Sequence, residues 1–326
     1  SVEIDTLSYR QDTKPVRWVS DGSSQYQIGE GTRTRRGTTL TLHVGPDGEE
    51  FLDAPLTRDT IRKYCSFLPY EIYFTDRAKP SAIEEQKPLN TTTPLWLKAP
   101  KDCTDEEYRQ FYREVFHEAD DPLFWIHLNV DSPFQLKAII YFPRLRDDRN
   151  LMDAGQIKLY YNRVFVADNI KEILPEFLTV LKGVIDCPDI PINVSRSFLQ
   201  NDGTVSKIAS FISKKVSDKL HSIFEAGREQ YERYWEDIHV LIKYGCLRDH
   251  KFFERMKDIV LWPTTQGDYR TLDEWFESEP EQTGEKTVYY TDNRAQQSAA
   301  VALYHAHGIR VAELKHPIDM PFSQMF

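Results

Sequence analysis

Cysteine is scarce and scattered in this chain of 326 residues: Cys65, Cys103, Cys187 and Cys246 lie far apart. Without a CxxC pair or a dense cysteine pattern, a disulfide-built scaffold is excluded and a reduced, cytoplasmic compartment is the expectation. No stretch approaches the roughly 20 apolar residues that a membrane span requires. No basic segment followed by an apolar one opens the chain, so no signal peptide is visible. GxGxxG, GxxxxGK[ST], GxSxG and HExxH are all absent, which removes the familiar signatures of dinucleotide, P-loop, esterase and zinc-peptidase chemistry. Positive charge is also short. With 41 Lys and Arg against 51 Asp and Glu, the net charge is −10, which argues against a nucleic-acid or anionic-membrane partner. There is neither an internal repeat nor a low-complexity tract. What remains is 40% hydrophobic, 13% aromatic and 28% charged, a composition for a soluble globular protein of one large or two to three small domains. The first residue is Ser1, not Met, and it leads straight into a strand-like run. The expectation is a piece of a longer protein.

Residues 1–45 read as strands and turns. VEIDTL alternates, VRWVSDGSSQYQI holds two short strands around Asp21-Gly22, and GTTLTLHV puts Leu40, Leu42 and Val44 on one face. The period then changes. Ile61, Tyr64, Cys65 and Leu68 recur at helical spacing, and PYEIYF reads as a strand. Residues 75–90, with charge and two prolines, read as an interdomain linker.

The next unit alternates α and β. Thr104 with Glu107 makes a capping box before an apolar helical stripe of Tyr108, Phe111, Tyr112, Val115 and Phe116. FWIHLNV and FQLKAIIYF alternate as strands, and IKLYYNRVFVAD reads as one strand kinked near Asn162. LPEFLTVLKG reads as a helix with Pro175 in its first turn and Gly183 near its end. A long non-periodic stretch follows, then a long helix through Val205, Ile208, Ile212, Val216 and Leu220, and a second one through Tyr231, Trp235 and Leu241. KTVYYTD, a helix ended by Gly308, and IRVAEL together suggest a parallel βαβ pair.

Few residues suggest chemistry. His305 and His307 read as surface groups before a C-cap glycine, because a metal site needs three or four convergent ligands. Asp105, Glu106 and Glu107 favour a helix dipole. One segment stands out: in PINVSRSFLQ, Arg196 sits in a polar loop shortly before a helix. A guanidinium there is either a surface group or a planar, permanently charged fork for a phosphate. Gln200 either orients a water or phosphate oxygen, or serves helix-start hydrogen bonding. Trp96, in TPLWLKAP, is either a core residue or an exposed apolar anchor for a partner.

Several strings taken together resemble the bacterial-type 90-kDa heat-shock chaperone family, the HtpG group. KPVRWVSDGSSQYQI with RGTTLTLHV resembles the last strands of that family's N-terminal ATPase domain, of the GHKL type. PLNTTTPLW with TDEEYRQFYREVF resembles the opening of its middle domain, LPEFLTVLKGVIDCPDIPINVSR that domain's most recognisable stretch, and KTVYYTD its closing α/β unit. The resemblance implies an α/β (α+β) fold: remnant ATPase-domain strands in 1–74, a linker at 75–90, a large αβα sandwich in 91–225, a helical coil in 226–266 and a small αβ unit in 267–326. By position it implies that Arg196 reaches the γ-phosphate of ATP and that Gln200 is grouped with it. Thr38 matches a residue lining the adenine pocket, and Trp96 one linked to client-protein contact.

The family's ATP-binding helices, magnesium-holding asparagine and dimerisation domain have no counterpart in these residues. The resemblance therefore implies ATP and Mg as cofactors of the intact protein and none of this piece. It implies client proteins and the nucleotide domain as partners, a homodimer when intact and a monomer here. Half a domain in residues 1–70 implies unpaired strand edges and uncovered apolar faces. PRLRDDRNLMDAGQ departs from the family in lacking a Pro-Phe/Trp apolar group. Two rivals stand beside this reading: a non-catalytic interaction module whose Arg196 loop is structural, and a DNA-directed ATPase of the same superfamily, which the acidic charge disfavours.

Overall fold

The computed structural model describes residues 1–76, 87–144, 155–168, 174–190, 203–278 and 286–326. The chain forms two compact units, Ser1–Thr91 and Thr92–Phe326.

In the first unit, β1 (Val2–Leu7), β2 (Val16–Ser20), β3 (Gln27–Glu30) and β4 (Gly37–Leu42) form an antiparallel sheet in the order β3-β2-β1-β4. A 3-10 helix, Pro46–Leu52, and then α1 (Ala54–Cys65) follow. Asp53 caps α1 by accepting from Leu56 N at 3.1 Å. Apolar side chains stay open to solvent: Ile28 is 64% exposed, Leu40 56% and Leu42 62%. The uncovered faces expected of half a domain are present. PYEIYF is not a strand. Its backbone is held instead by Asn90, which donates to Leu68 O and Tyr70 O and accepts from Ile72 N. One buried amide side chain there does the work of a partner strand.

The second unit opens with α2 (Asp105–Phe116), whose capping box is formed as the sequence predicts. Its mixed sheet runs β5-β6-β9-β7-β8, from β5 (Phe124–Val130), β6 (Leu136–Phe142), β7 (Gln156–Tyr161), β8 (Val164–Asp168) and β9 (Lys182–Asp186). Two expectations are corrected. IKLYYNRVFVAD is a hairpin rather than one kinked strand, because Asn162 and Arg163 both take positive φ, 49° and 67°; two left-handed residues in succession reverse the chain in register with its twist. LPEFLTVLKG is a 3-10 turn, Glu176–Val180, leading into β9. That strand is central, with β6 antiparallel on one side and β7 parallel on the other. Gly183 lies in it because a Cβ there would meet Ile139 O at 2.7 Å.

Helices α3 (Gly203–Ala226), α4 (Arg228–Arg248) and α5 (His250–Met256) pack beside the sheet. Val205, Ile208, Ile212, Val216 and Leu220 of α3 are all buried, as their period predicts. The chain closes with β10 (Trp262–Pro263), β11 (Tyr269–Arg270), α6 (Leu272–Ser278), β12 (Tyr289–Thr291), α7 (Ser298–Ala306), β13 (Val311–Glu313) and α8 (Asp319–Ser323). β12 and β13 are parallel, the βαβ pair read from the sequence. The whole is an α/β protein, as expected. Arg228 joins the start of α4 to this last part: it donates to both carboxylate oxygens of Glu274, to Glu232 and to Tyr269 O.

Candidate functional site

Arg196 and Gln200 lie outside the described residues, within 191–202, as do most of the linker at 75–90 and most of PRLRDDRNLMDAGQ. The structure does describe the two anchors of 191–202: the end of β9 and the start of α3. At the first anchor, Cys187 N donates to Tyr160 O and Ile190 N to Cys187 O. Asp189 accepts from Gln135 N at 2.6 Å, tying the exit of β9 to the approach to β6. At the second anchor, Val205 and Ile208 are buried in the main core. The described residues on either side of 191–202 are thus held by the sheet and by α3.

The last residue of β9 carries the most unusual group in the chain. Asp186 is a carboxylic acid in a fully buried strand, and it is 6% exposed. Its Oδ2 accepts from the backbone N–H of Arg163 at 3.1 Å and from Trp96 Nε1 at 3.4 Å. Among the described residues its Oδ1 is buried without a partner. Burial pushes its pKa up, against the hydrogen bonds from Arg163 and Trp96 that lower it. Asp186 thereby holds the left-handed turn between β7 and β8 and the indole of Trp96 at one point. The guanidinium of Arg163 reaches Thr92 O at 3.4 Å.

Trp96 is fully buried. Its ring lies 5.8 Å from Phe111 and 5.2 Å from Tyr160. The core reading holds, and the reading as an exposed client anchor is corrected: no face of this indole is presented to solvent. Thr38 lies on β4, exposed, with its hydroxyl 2.8 Å from that of Thr6. Among the described residues, no three His, Cys, Asp or Glu gather to hold a metal ion. His305 Nε2 lies 2.8 Å from the Thr265 hydroxyl, and His307 Nδ1 lies 2.8 Å from the Leu303 carbonyl oxygen. All four cysteines are free; burial pushes the Cys187 thiol up to about 11 and that of Cys246 up to about 12. Both stay protonated and inert at neutral pH.

Sequence reasoning missed Asp186, Arg163 and the buried ion pair Lys243–Asp319, 2.6 Å apart with both side chains 2% exposed. One signal was available for Asp186: a carboxylate closing the otherwise apolar run GVID.

The chain thus combines a strand-rich unit with a second unit built of a mixed sheet, packed helices and a terminal βαβ element. A family model described as Hsp90 protein matches residues 75–325. The chain is 39% identical over 333 aligned positions to a chaperone protein htpG of Bacteroides fragilis, covering 99% of this chain and 49% of that protein. It is 41% identical over 279 positions to the chaperone protein HtpG of Porphyromonas gingivalis, covering 84% and 41%. To that of Alcanivorax borkumensis it is 31% identical over 313 positions, covering 93% and 50%. The chain belongs to the Hsp90 family. It spans about half the length of the curated relatives it matches. Among the described residues, no helix is long and apolar enough to cross a membrane.

Proposed function

We propose that this chain is the middle region of an ATP-dependent molecular chaperone of the bacterial cytoplasm, one that binds client proteins and lends an arginine to ATP hydrolysis. The observation that carries the reading is the family match over residues 75–325, with relatives named as chaperones. In this reading residues 1–74 close a nucleotide-binding domain, 75–90 link it to the rest, and 91–225, 226–266 and 267–326 are the three parts of the middle region. Thr38 belongs to the adenine side of the nucleotide domain. ATP and Mg are cofactors of the intact, dimeric protein, and the 326-residue piece is a monomer. Arg196 is the group this chain brings to the γ-phosphate. Its guanidinium keeps its charge at any working pH, and such an arginine, supplied across a domain interface, offsets charge developing on the transferred phosphoryl group. Gln200, four residues on, acts beside it. The packed flanks of 191–202, the end of β9 and the start of α3, support this reading, because a group that must reach a phosphate needs a firm base. Client contact falls to surfaces other than Trp96.

The test is ATP hydrolysis by an equimolar mixture of this chain and a separately made nucleotide-binding domain, with Arg196 intact and with Arg196→Ala. Stimulation by the first alone supports the reading. Equal turnover with both, when the two proteins demonstrably associate, leaves the 191–202 segment structural and makes the chain a binding scaffold.

A further inference from the structure

Strands β12 and β13, helix α6 and residues 323–326 line a half-open cavity of about 460 Å³, with Tyr290 and Phe326 partly exposed at its mouth. That is within the roughly 300–1,000 Å³ of small-molecule sites. Trp262, Phe276, Tyr290 and Phe326 form aromatic walls around Leu272 and Leu314. The Trp262 wall is fixed in place: its ring stacks on Phe322 at 5.6 Å and meets Phe326 edge-on at 5.7 Å. Polar groups are few. The Ser323 hydroxyl donates to Met320 O, which leaves its lone pairs but no proton for a ligand. Lys286 is exposed beside the cavity, with its ammonium 4.8 Å from the centre of the Phe276 ring and no carboxylate partner among the described residues.

An apolar cavity selects an apolar body, and the one lining cation, with no carboxylate partner among the described residues, selects a single negative charge. Nucleotides and sugar phosphates are excluded by the same count: several charges and hydroxyls would be buried against aromatic walls without partners. We propose that this cavity binds a small monocarboxylic acid with an aliphatic or aromatic body, of the medium-chain fatty-acid class, its chain between Trp262 and Phe276 and its carboxylate at Lys286.

Isothermal titration of the 326-residue chain with decanoate, below its micelle concentration, tests this, with decan-1-ol as the uncharged analogue. The expected result is saturable binding at one site. Lys286→Gln weakens decanoate roughly two- to five-fold, the range for an exposed ion pair, and leaves decan-1-ol unchanged. Ser323→Trp fills the cavity and removes binding of both, with the melting temperature kept. Three results would overturn the proposal: no saturable binding of decanoate to the unaltered chain, undiminished binding by a folded Ser323→Trp variant, or equal effects of Lys286→Gln on acid and alcohol. Because Lys286 is exposed, its variant folds and decides the question even if Ser323→Trp does not. Saturation by an apolar peptide with none by decanoate counts against the proposal as well.

Discussion

Replacing Trp96 by alanine separates a core indole from a surface anchor by the size of the stability loss. The side chain is wholly enclosed, with Phe111 and Tyr160 against its faces and Asp186 at its nitrogen. Truncating a buried tryptophan removes its transfer free energy and leaves a cavity, together about 3–5 kcal/mol. An exposed tryptophan changed to alanine alters stability by only about 0.5 kcal/mol. The two expectations therefore differ several-fold, well beyond the error of a denaturation curve. Urea unfolding read by helical circular dichroism is the suitable assay, because the long helices α3 and α4 both lie in the second unit. With a urea slope of about 3 kcal/mol/M, the midpoint falls by roughly 1–1.7 M. Trp96→Phe keeps much of the ring packing but withdraws the N–H from Asp186, so its loss is smaller, about 1–2 kcal/mol. A midpoint within roughly 0.2 M of the unaltered chain for Trp96→Ala would refute the assignment of this indole to the core.

Asp186→Asn probes the buried acid through pH. A carboxyl whose folded pKa is raised binds its proton more tightly when folded, so its contribution to stability falls as pH rises from the ordinary carboxylate value of about 3.9 through the folded value. The stability of Asp186→Asn relative to the unaltered chain should therefore improve between pH 4 and pH 7; a difference that stays flat means that the acid is not raised. Lys243→Met strands Asp319 with only the His316 N–H as donor and should cost about 3–5 kcal/mol. Adding Asp319→Leu should recover most of that loss, since Trp262 and Phe322 flank the ammonium, and paired denaturation curves give both values. Gly183→Ala forces a Cβ against Ile139 O in the middle of the sheet and should lower stability by about 1–3 kcal/mol, measured the same way.

Elements with a strong period were legible in the sequence. Helices α2 and α3 were read from stripes at helical spacing, and α2 also from its capping box, because an amphipathic helix writes one buried face into every third or fourth residue. The βαβ pair of β12 and β13 was legible for a similar reason: Gly308, at φ 73°, ends the intervening helical stretch where a left-handed residue is needed. β9 was not legible. All five of its residues are buried, so nothing alternates, and Lys182-Gly183 looks like a helix end when the neighbouring strands are unseen. The hairpin at Asn162-Arg163 was missed because its second residue is an arginine with positive φ, where a glycine is the usual marker.

That arginine explains the position of Asp186. A left-handed Arg163 is disfavoured on its own, and its N–H needs an acceptor at a partly buried hairpin end. Asp186 supplies the acceptor from the neighbouring strand, so the turn and the acid account for one another. The same oxygen accepts from Trp96, which lies 90 residues before it in the sequence, a relation no local pattern encodes. Three distant stretches, around 96, 163 and 186, therefore meet at the end of β9. The parts of this region legible in the sequence are those defined by residue type and spacing; those that were hidden are defined by which backbone N–H groups the fold leaves needing an acceptor.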